Sequence, residues 1–265
     1  MQTTSTQINN FGADSGAQSI VVVRNLSKTY SKGDEVLHGI DMHVKAGELF
    51  GLIGPDGAGK TTIMQILSGV LAYDEGTVQI AGKEARHAHK EIGYVTQQFS
   101  LYPDLSIEEN LRYIAGMHDV SHHKFEERKE RFLSLTGLSR FADRLARQLS
   151  GGMKQKLALC CALITQPKLL LLDEPTSGVD PVSRKEFWDL VKEFASEGTA
   201  TIAATAYFDE AELCDRVALV YEGRIERCGS PADLKKSMAV KRLQIYTKDP
   251  AGVELLLRNN LAKNQ

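Results

Sequence analysis

Nine consecutive residues, Gly54-Pro55-Asp56-Gly57-Ala58-Gly59-Lys60-Thr61-Thr62, restrict the fold of this chain more than any other stretch. They fit G-x-x-x-x-G-K-[ST], a loop that wraps phosphate and works only between a strand and a helix. Both flanks agree with that setting. Glu48 to Ile53 is a short apolar run that reads as a buried parallel strand. Ile63, Met64, Ile66 and Leu67 recur at helical spacing, and Gly69 is placed to stop the helix.

The residue types dictate a chemistry. Gly54, Gly57 and Gly59 predict a tight turn with no Cβ between backbone and phosphate. Amides of the loop and of the helix N-terminus then face the anion, and the helix dipole favours it. Lys60 reaches the β- and γ-phosphates, and the Thr61 hydroxyl is a ligand for Mg2+.

A second carboxylate-bearing strand follows. Lys168 to Glu174 is four leucines capped by Asp173 and Glu174, bounded by Pro167 and Pro175. Asp173 is placed to hold Mg2+, and Glu174 to polarise the water that attacks the γ-phosphate. Leu149-Ser150-Gly151-Gly152-Met153-Lys154-Gln155 precedes a helical run over 153–164 and offers a second helix N-terminus to an anion. Taken alone, that stretch is an ordinary Ser N-cap.

The remaining chain reads as follows. Residues 1–18 have almost nothing to bury and are expected to form a disordered tail. Strands are expected over 19–24, 36–44, 76–82 (an edge), 92–96, 199–205 and 217–221, with a hairpin at Glu222-Gly223-Arg224 into 225–228. Helices are expected across much of 106–147 and over 187–194. His122 and His123 are placed in a polar turn, and His87 and His89 in a solvated loop. A strand over 243–247 and a helix over 251–258 resemble a further unit, as if the chain continued or a tail docked. Thirty-two Lys and Arg against 34 Asp and Glu give a net charge of -2, which excludes the basic footprint of a nucleic-acid binder. No apolar run is long enough to cross a bilayer, and no leader sequence is visible. Cys160, Cys161, Cys214 and Cys228 lack zinc spacing and read as reduced, buried thiols of a cytosolic protein.

Together these residues resemble the nucleotide-binding subunit of an ABC transporter, from about Ile20 to Leu234, with the motifs in family order. The resemblance implies an α/β fold, a P-loop NTPase of ABC type. Its mostly parallel core sheet carries an antiparallel β subdomain and a helical subdomain near 99–150; the domain spans 19–238, and 239–265 is a C-terminal extension. It implies that Tyr30 stacks on adenine, that Gly54 to Thr62 bind ATP, and that Gln97 touches Mg2+ or the attacking water and senses the membrane partner. Ser150, Gly151 and Gly152 become the signature that closes over a second domain's ATP; Met153 stands where many members have Gln. Asp173 becomes the Walker B metal ligand, Glu174 the catalytic glutamate, and Ser177 to Asp180 the D-loop.

The implied cofactors are ATP and Mg2+. The implied partners are a transmembrane permease subunit or domain and a second ABC ATPase domain, at the cytoplasmic face of the membrane. Residues 99–105 and the Met-Lys-Gln form of the signature look most like ABC-2-type drug or polysaccharide exporters. One position departs. Where the family has the switch histidine that contacts the γ-phosphate, this chain has Ala206, followed by Tyr207. Two alternatives stay open: an ATP-gated half paired with an active one, and a soluble ABC ATPase outside transport.

Overall fold

A computed structural model of the chain describes residues 19–30, 33–237 and 253. The expected tail over 1–18, and all but one residue of the expected further unit over 243–258, lie outside them. The chain divides into two units, Met1–Leu234 and Lys235–Gln265.

In chain order the elements are β1 (Ser19–Thr29), β2 (Glu35–Lys45), β3 (Leu49–Ile53), α1 (Lys60–Leu67), β4 (Glu75–Ile80), β5 (Lys83–Glu84) and β6 (Ile92–Val95). Then come α2 (Ile107–Met117), α3 (His122–Thr136), α4 (Gly151–Leu163), β7 (Leu169–Asp173) and α5 (Pro181–Ser196). The last are β8 (Ala200–Thr205), α6 (Phe208–Ala211), β9 (Arg216–Tyr221), β10 (Arg224–Gly229) and α7 (Pro231–Ser237).

Two sheets result. The larger has the order β10-β9-β3-β8-β7-β6 and is parallel except where β10 returns along β9. The smaller is antiparallel, with the order β2-β1-β4-β5. Every residue of β3 and β7 is buried, as expected where helices or a second sheet cover both faces. The pleat sends alternate side chains to opposite sides. Leu170 and Leu172 pack with α2, α3, α4 and α5, while Leu169 and Leu171 pack with α1 and the antiparallel sheet. β3 divides the same way, with Leu49 and Ile53 on the first side and Phe50 and Leu52 on the second.

Helix boundaries follow their caps. Ser106 and Glu109 form a reciprocal capping box at α2, each side chain accepting from the other's amide. Asp180 accepts from the Ser183 amide at 3.0 Å, and Pro181 supplies a preset φ at the first position of α5. That helix is therefore longer than the expected 187–194, because Pro181 to Glu186 include no buried residue and so show no apolar periodicity. Glu222 and Gly223, both at positive φ, turn β9 into β10 as a hairpin loop requires.

Two sequence expectations are corrected. The segment 76–82 is not an edge: β4 lies between β1 and the two-residue β5. His122 and His123 are not in a turn but open α3, where Ser121 ends the preceding extended backbone. The polar composition of that first turn concealed a helix whose buried face begins only at Phe125.

Candidate active site

The phosphate loop runs from the end of β3 into α1, as its sequence requires. Gly57 and Gly59 have φ of +78° and +104°, a region that other residues enter only with strain. Gly54 is needed for a different reason. A Cβ there would stand 2.1 Å from the Val220 carbonyl oxygen, so β9, and not a ligand, excludes a side chain. Gly59 is the N-cap of α1, with no side-chain cap and no acidic residue in the first turn. By contrast Ser106, Ser150 and Asp180 close the amides of their own helices. The start of α1 thus presents its orphan N–H groups and dipole to an anion.

Lys60 is buried, and its ammonium donates to the carbonyl oxygens of Gly54 at 2.8 Å and Pro55 at 3.0 Å. These bonds hold the cation folded over the loop. Thr61 donates to Asp173 Oδ1 at 3.2 Å, and Tyr94 donates to Asp173 Oδ2 at 3.3 Å. Burial raises the Asp173 carboxyl above its ordinary value, the two hydrogen bonds oppose that shift, and neighbouring Glu174 adds to it. Burial first, and the Asp173 charge second, push the Tyr94 phenol up as well, so it remains a donor. Gln97 Nε2 donates to Glu174 Oε2 at 2.9 Å. Glu174 has φ of +47°, unusual for a residue with a side chain, and its amide donates to the Ala204 carbonyl at 2.9 Å.

These residues enclose a cleft of about 380 Å³ lined by Asp56, Gly57, Lys60, Thr61, Gln97 and Glu174, among others. Tyr30 stands at its margin, half-exposed, with its hydroxyl 3.4 Å from Thr62 Oγ1. The fold therefore brings the loop, the strand-end acids, Gln97 and Tyr30 together. It does not bring Ser150, Gly151 and Gly152 to that cleft. Ser150 accepts from the Met153 amide at 3.3 Å, and a Cβ on Gly152 would stand 2.6 Å from the Ser183 Cβ of α5. Ala206 is exposed and directly follows β8. The neighbouring Tyr207 ring lies under the Arg184 guanidinium, 4.5 Å from it, and is directed to α5.

Two residues were not foreseen. Tyr94 reads as an apolar strand residue, and only the β6–β7 register, which sets Tyr94 opposite Leu171, carries its hydroxyl to Asp173. Glu210 is buried at 2% exposure and accepts from Thr176 and Thr205. Nothing in Phe208-Asp209-Glu210-Ala211 separates it from the exposed Asp209.

The family profile described as ABC transporter matches residues 37–177. The chain is 40% identical over 245 residues to the probable multidrug ABC transporter ATP-binding protein YbhF of Escherichia coli (strain K12), covering 91% of this chain and 42% of that protein. It is 37% identical over 215 residues to the linearmycin resistance ATP-binding protein LnrL of Bacillus subtilis (strain 168), covering 79% of this chain and 69% of that one. Among solved structures it resembles the dimeric post-hydrolysis state of the ATP-binding cassette MJ0796 bound to ADP and Pi. That likeness has a TM-score of 0.72 at 28% identity and covers 80% of this chain and 98% of the other. The chain thus spans less than half the length of the first of these relatives. A match that contains the whole phosphate loop and runs past Glu174 makes this chain a member of the ABC transporter family, folded as its ATP-binding cassette.

Proposed function

We propose that this chain binds and hydrolyses ATP as the energising part of a membrane exporter, in a dimer that sandwiches each nucleotide between two cassettes. One observation carries the reading. Lys60, Thr61, Gln97 and Glu174 line one cleft, with Asp173 hydrogen-bonded to Thr61, while the signature at Ser150-Gly151-Gly152 is no part of that lining and in this reading is left for a second domain. The dimeric, ADP- and Pi-bound form of the similar MJ0796 cassette supports pairing of two cassettes.

In this reading Tyr30 stacks on adenine. Loop amides of Gly57, Gly59 and Thr61 hold the phosphates, and the Lys60 ammonium exchanges carbonyl partners for β- and γ-phosphate oxygens. The hydroxyl of Thr61 and the carboxylate of Asp173, already in contact, form a hard oxygen pair suited to Mg2+, with Gln97 beside them. Bound there, the ion neutralises charge on the β- and γ-oxygens. Glu174 accepts a proton from the water that attacks the γ-phosphorus; the bond to the bridging oxygen breaks and ADP leaves. Gln97, hydrogen-bonded to Glu174, orients that base and reports on the membrane partner.

The export direction rests on the multidrug and linearmycin-resistance relatives. No helix among the described residues is long and apolar enough to cross a membrane. In this reading a permease subunit or domain supplies the path and the cassette sits peripherally at the cytoplasmic face. Ala206 stands at the switch-histidine position and removes one donor to the γ-phosphate. That observation favours a second reading, a slow half paired with an active ATPase.

The test is Glu174→Gln, which keeps the side chain's shape but cannot take a proton. Mixed with Mg-ATP, it is expected to elute from size exclusion as a stable dimer that traps uncleaved nucleotide. An elution position unchanged by ATP at high protein concentration, together with wild-type turnover, would reject the reading.

A further inference from the structure

We propose that Glu210 is a positioning residue for hydrolysis, a buried latch that holds the segment bearing Glu174 against the end of β8. This inference rests on the proposed role of Glu174 as the base.

The geometry begins with backbone conformation. Glu174 sits at φ of +47°, where a side-chain-bearing residue persists only if its surroundings hold it. On one side the Glu174 amide is tied to the Ala204 carbonyl of β8 at 2.9 Å. On the other side the segment turns back on itself, with the Ser177 amide donating to the Glu174 carbonyl at 3.2 Å and the Val179 amide to the Thr176 carbonyl at 3.1 Å. Thr176 lies between these bonds and is itself buried. Its hydroxyl donates to Glu210 Oε1, and the Thr205 hydroxyl donates to Glu210 Oε2 at 2.5 Å. One carboxyl therefore clamps the residue two positions after Glu174 to the last residue of β8. The same Thr205 oxygen accepts the Tyr207 amide at 3.0 Å, which fixes the start of α6 that carries Glu210.

The clamp is also charged. Arg184 of α5 places Nε 3.7 Å from Glu210 Oε1 while its guanidinium covers the Tyr207 ring. That Nε is buried and makes no hydrogen bond, so the ion pair with Glu210 is its compensation. Glu210 does not itself line the cleft, so it acts on the reaction through Glu174. An amide at this position offers one acceptor oxygen in place of two, and one of the two threonines then loses its acceptor.

The experiment uses the full chain in excess over Mg-ATP and reads single-turnover phosphate release, binding of a fluorescent ATP analogue, and thermal melting. Glu210→Gln and Thr176→Val are each expected to slow release roughly 10-fold, since displacement of a reacting group by about 1 Å can cost up to 100-fold. Analogue affinity should stay within about 2-fold, the double variant should be no slower than the slower single one, and Thr176→Ser should restore wild-type release, because all act through one clamp. Wild-type release in both single variants overturns the latch, as does a loss of analogue binding in parallel with rate, or full additivity in the double. Glu174→Gln is run alongside. If it abolishes release while Glu210→Gln and Thr176→Val release phosphate at the wild-type rate, the latch fails and the base assignment stands; if Glu174→Gln is itself harmless, the base assignment fails and the latch with it.

Discussion

The phenolic oxygen of Tyr94 and the Oδ2 atom of Asp173 are 3.3 Å apart, while Asp173 Oδ1 faces the Thr61 hydroxyl. The carboxylate is thus oriented from both sides before any ligand arrives. Partners of this kind set the direction of a ligand's lone pairs, and their removal typically costs about 10- to 100-fold in affinity or activity. Tyr94→Phe is expected to lower steady-state ATP hydrolysis by about 10-fold and to raise the Mg2+ concentration needed for half-maximal rate. A magnesium titration of both proteins checks it.

Asp173 also links stability to pH. Its carboxyl is raised above the ordinary 3.8, chiefly by burial. Below that ordinary value it is protonated folded and unfolded, and burial of charge costs nothing. As pH rises through the raised native value, the folded state must carry the charge and loses stability. Asp173→Asn, which removes the buried charge while its one acceptor oxygen still serves Thr61 or Tyr94, should therefore melt higher than wild type at pH 7 without nucleotide. The gain should vanish as the pH falls towards the ordinary carboxyl range, and Mg-ATP should stabilise the variant less than wild type. Calorimetric scans across pH measure both effects.

Lys60→Ala removes the one side-chain cation that lines the cleft among the described residues. Equilibrium titration with a fluorescent ATP analogue should show affinity reduced at least about 100-fold, since a charge-assisted hydrogen bond is worth roughly 1.5–3 kcal/mol and this ammonium would make two. Melting without nucleotide should change little, because the bonds that are lost are confined to the loop's own carbonyls of Gly54 and Pro55.

On the proposed assignment of Ala206 to the switch-histidine position, Ala206→His should supply a donor to the γ-phosphate. Loss of one preorganised donor costs about 10²–10³ in rate, so single-turnover release should rise by up to that factor. Because the Tyr207 ring is held under Arg184, it is not free to take that place. Equal rates in the two proteins would mean that another group already does so.

Much of this site could be read from the sequence because its parts are contiguous. The loop, the strand of Leu169 to Leu172 and the Ser150 cap each carry their own local signal, and a parallel sheet aligns strand ends on one edge. What could not be read depends on register or on a short element. Tyr94 reaches Asp173 only through the pairing of β6 with β7. Glu210 belongs to a four-residue helix too short to show a periodicity, so its burial is visible only in three dimensions. The first turns of α3 and α5 were missed because exposed polar residues carry no amphipathic pattern, although Asp180-Pro181 marks a helix start in composition.

The contact of Gly54 with the Val220 carbonyl bears on how this motif would decay. A lineage that ceased to use ATP would be released from whatever the nucleotide demands, and Lys60 could drift freely. Gly54 could not, because β9 would reject any side chain there with or without a ligand. Gly57 has no atom within 4 Å of its missing Cβ, so only its backbone angle would restrain it, and Asn tolerates that angle. In a degenerate relative, a retained first glycine would therefore attest to an intact sheet alone, and the state of Lys60 would be the mark of a living site.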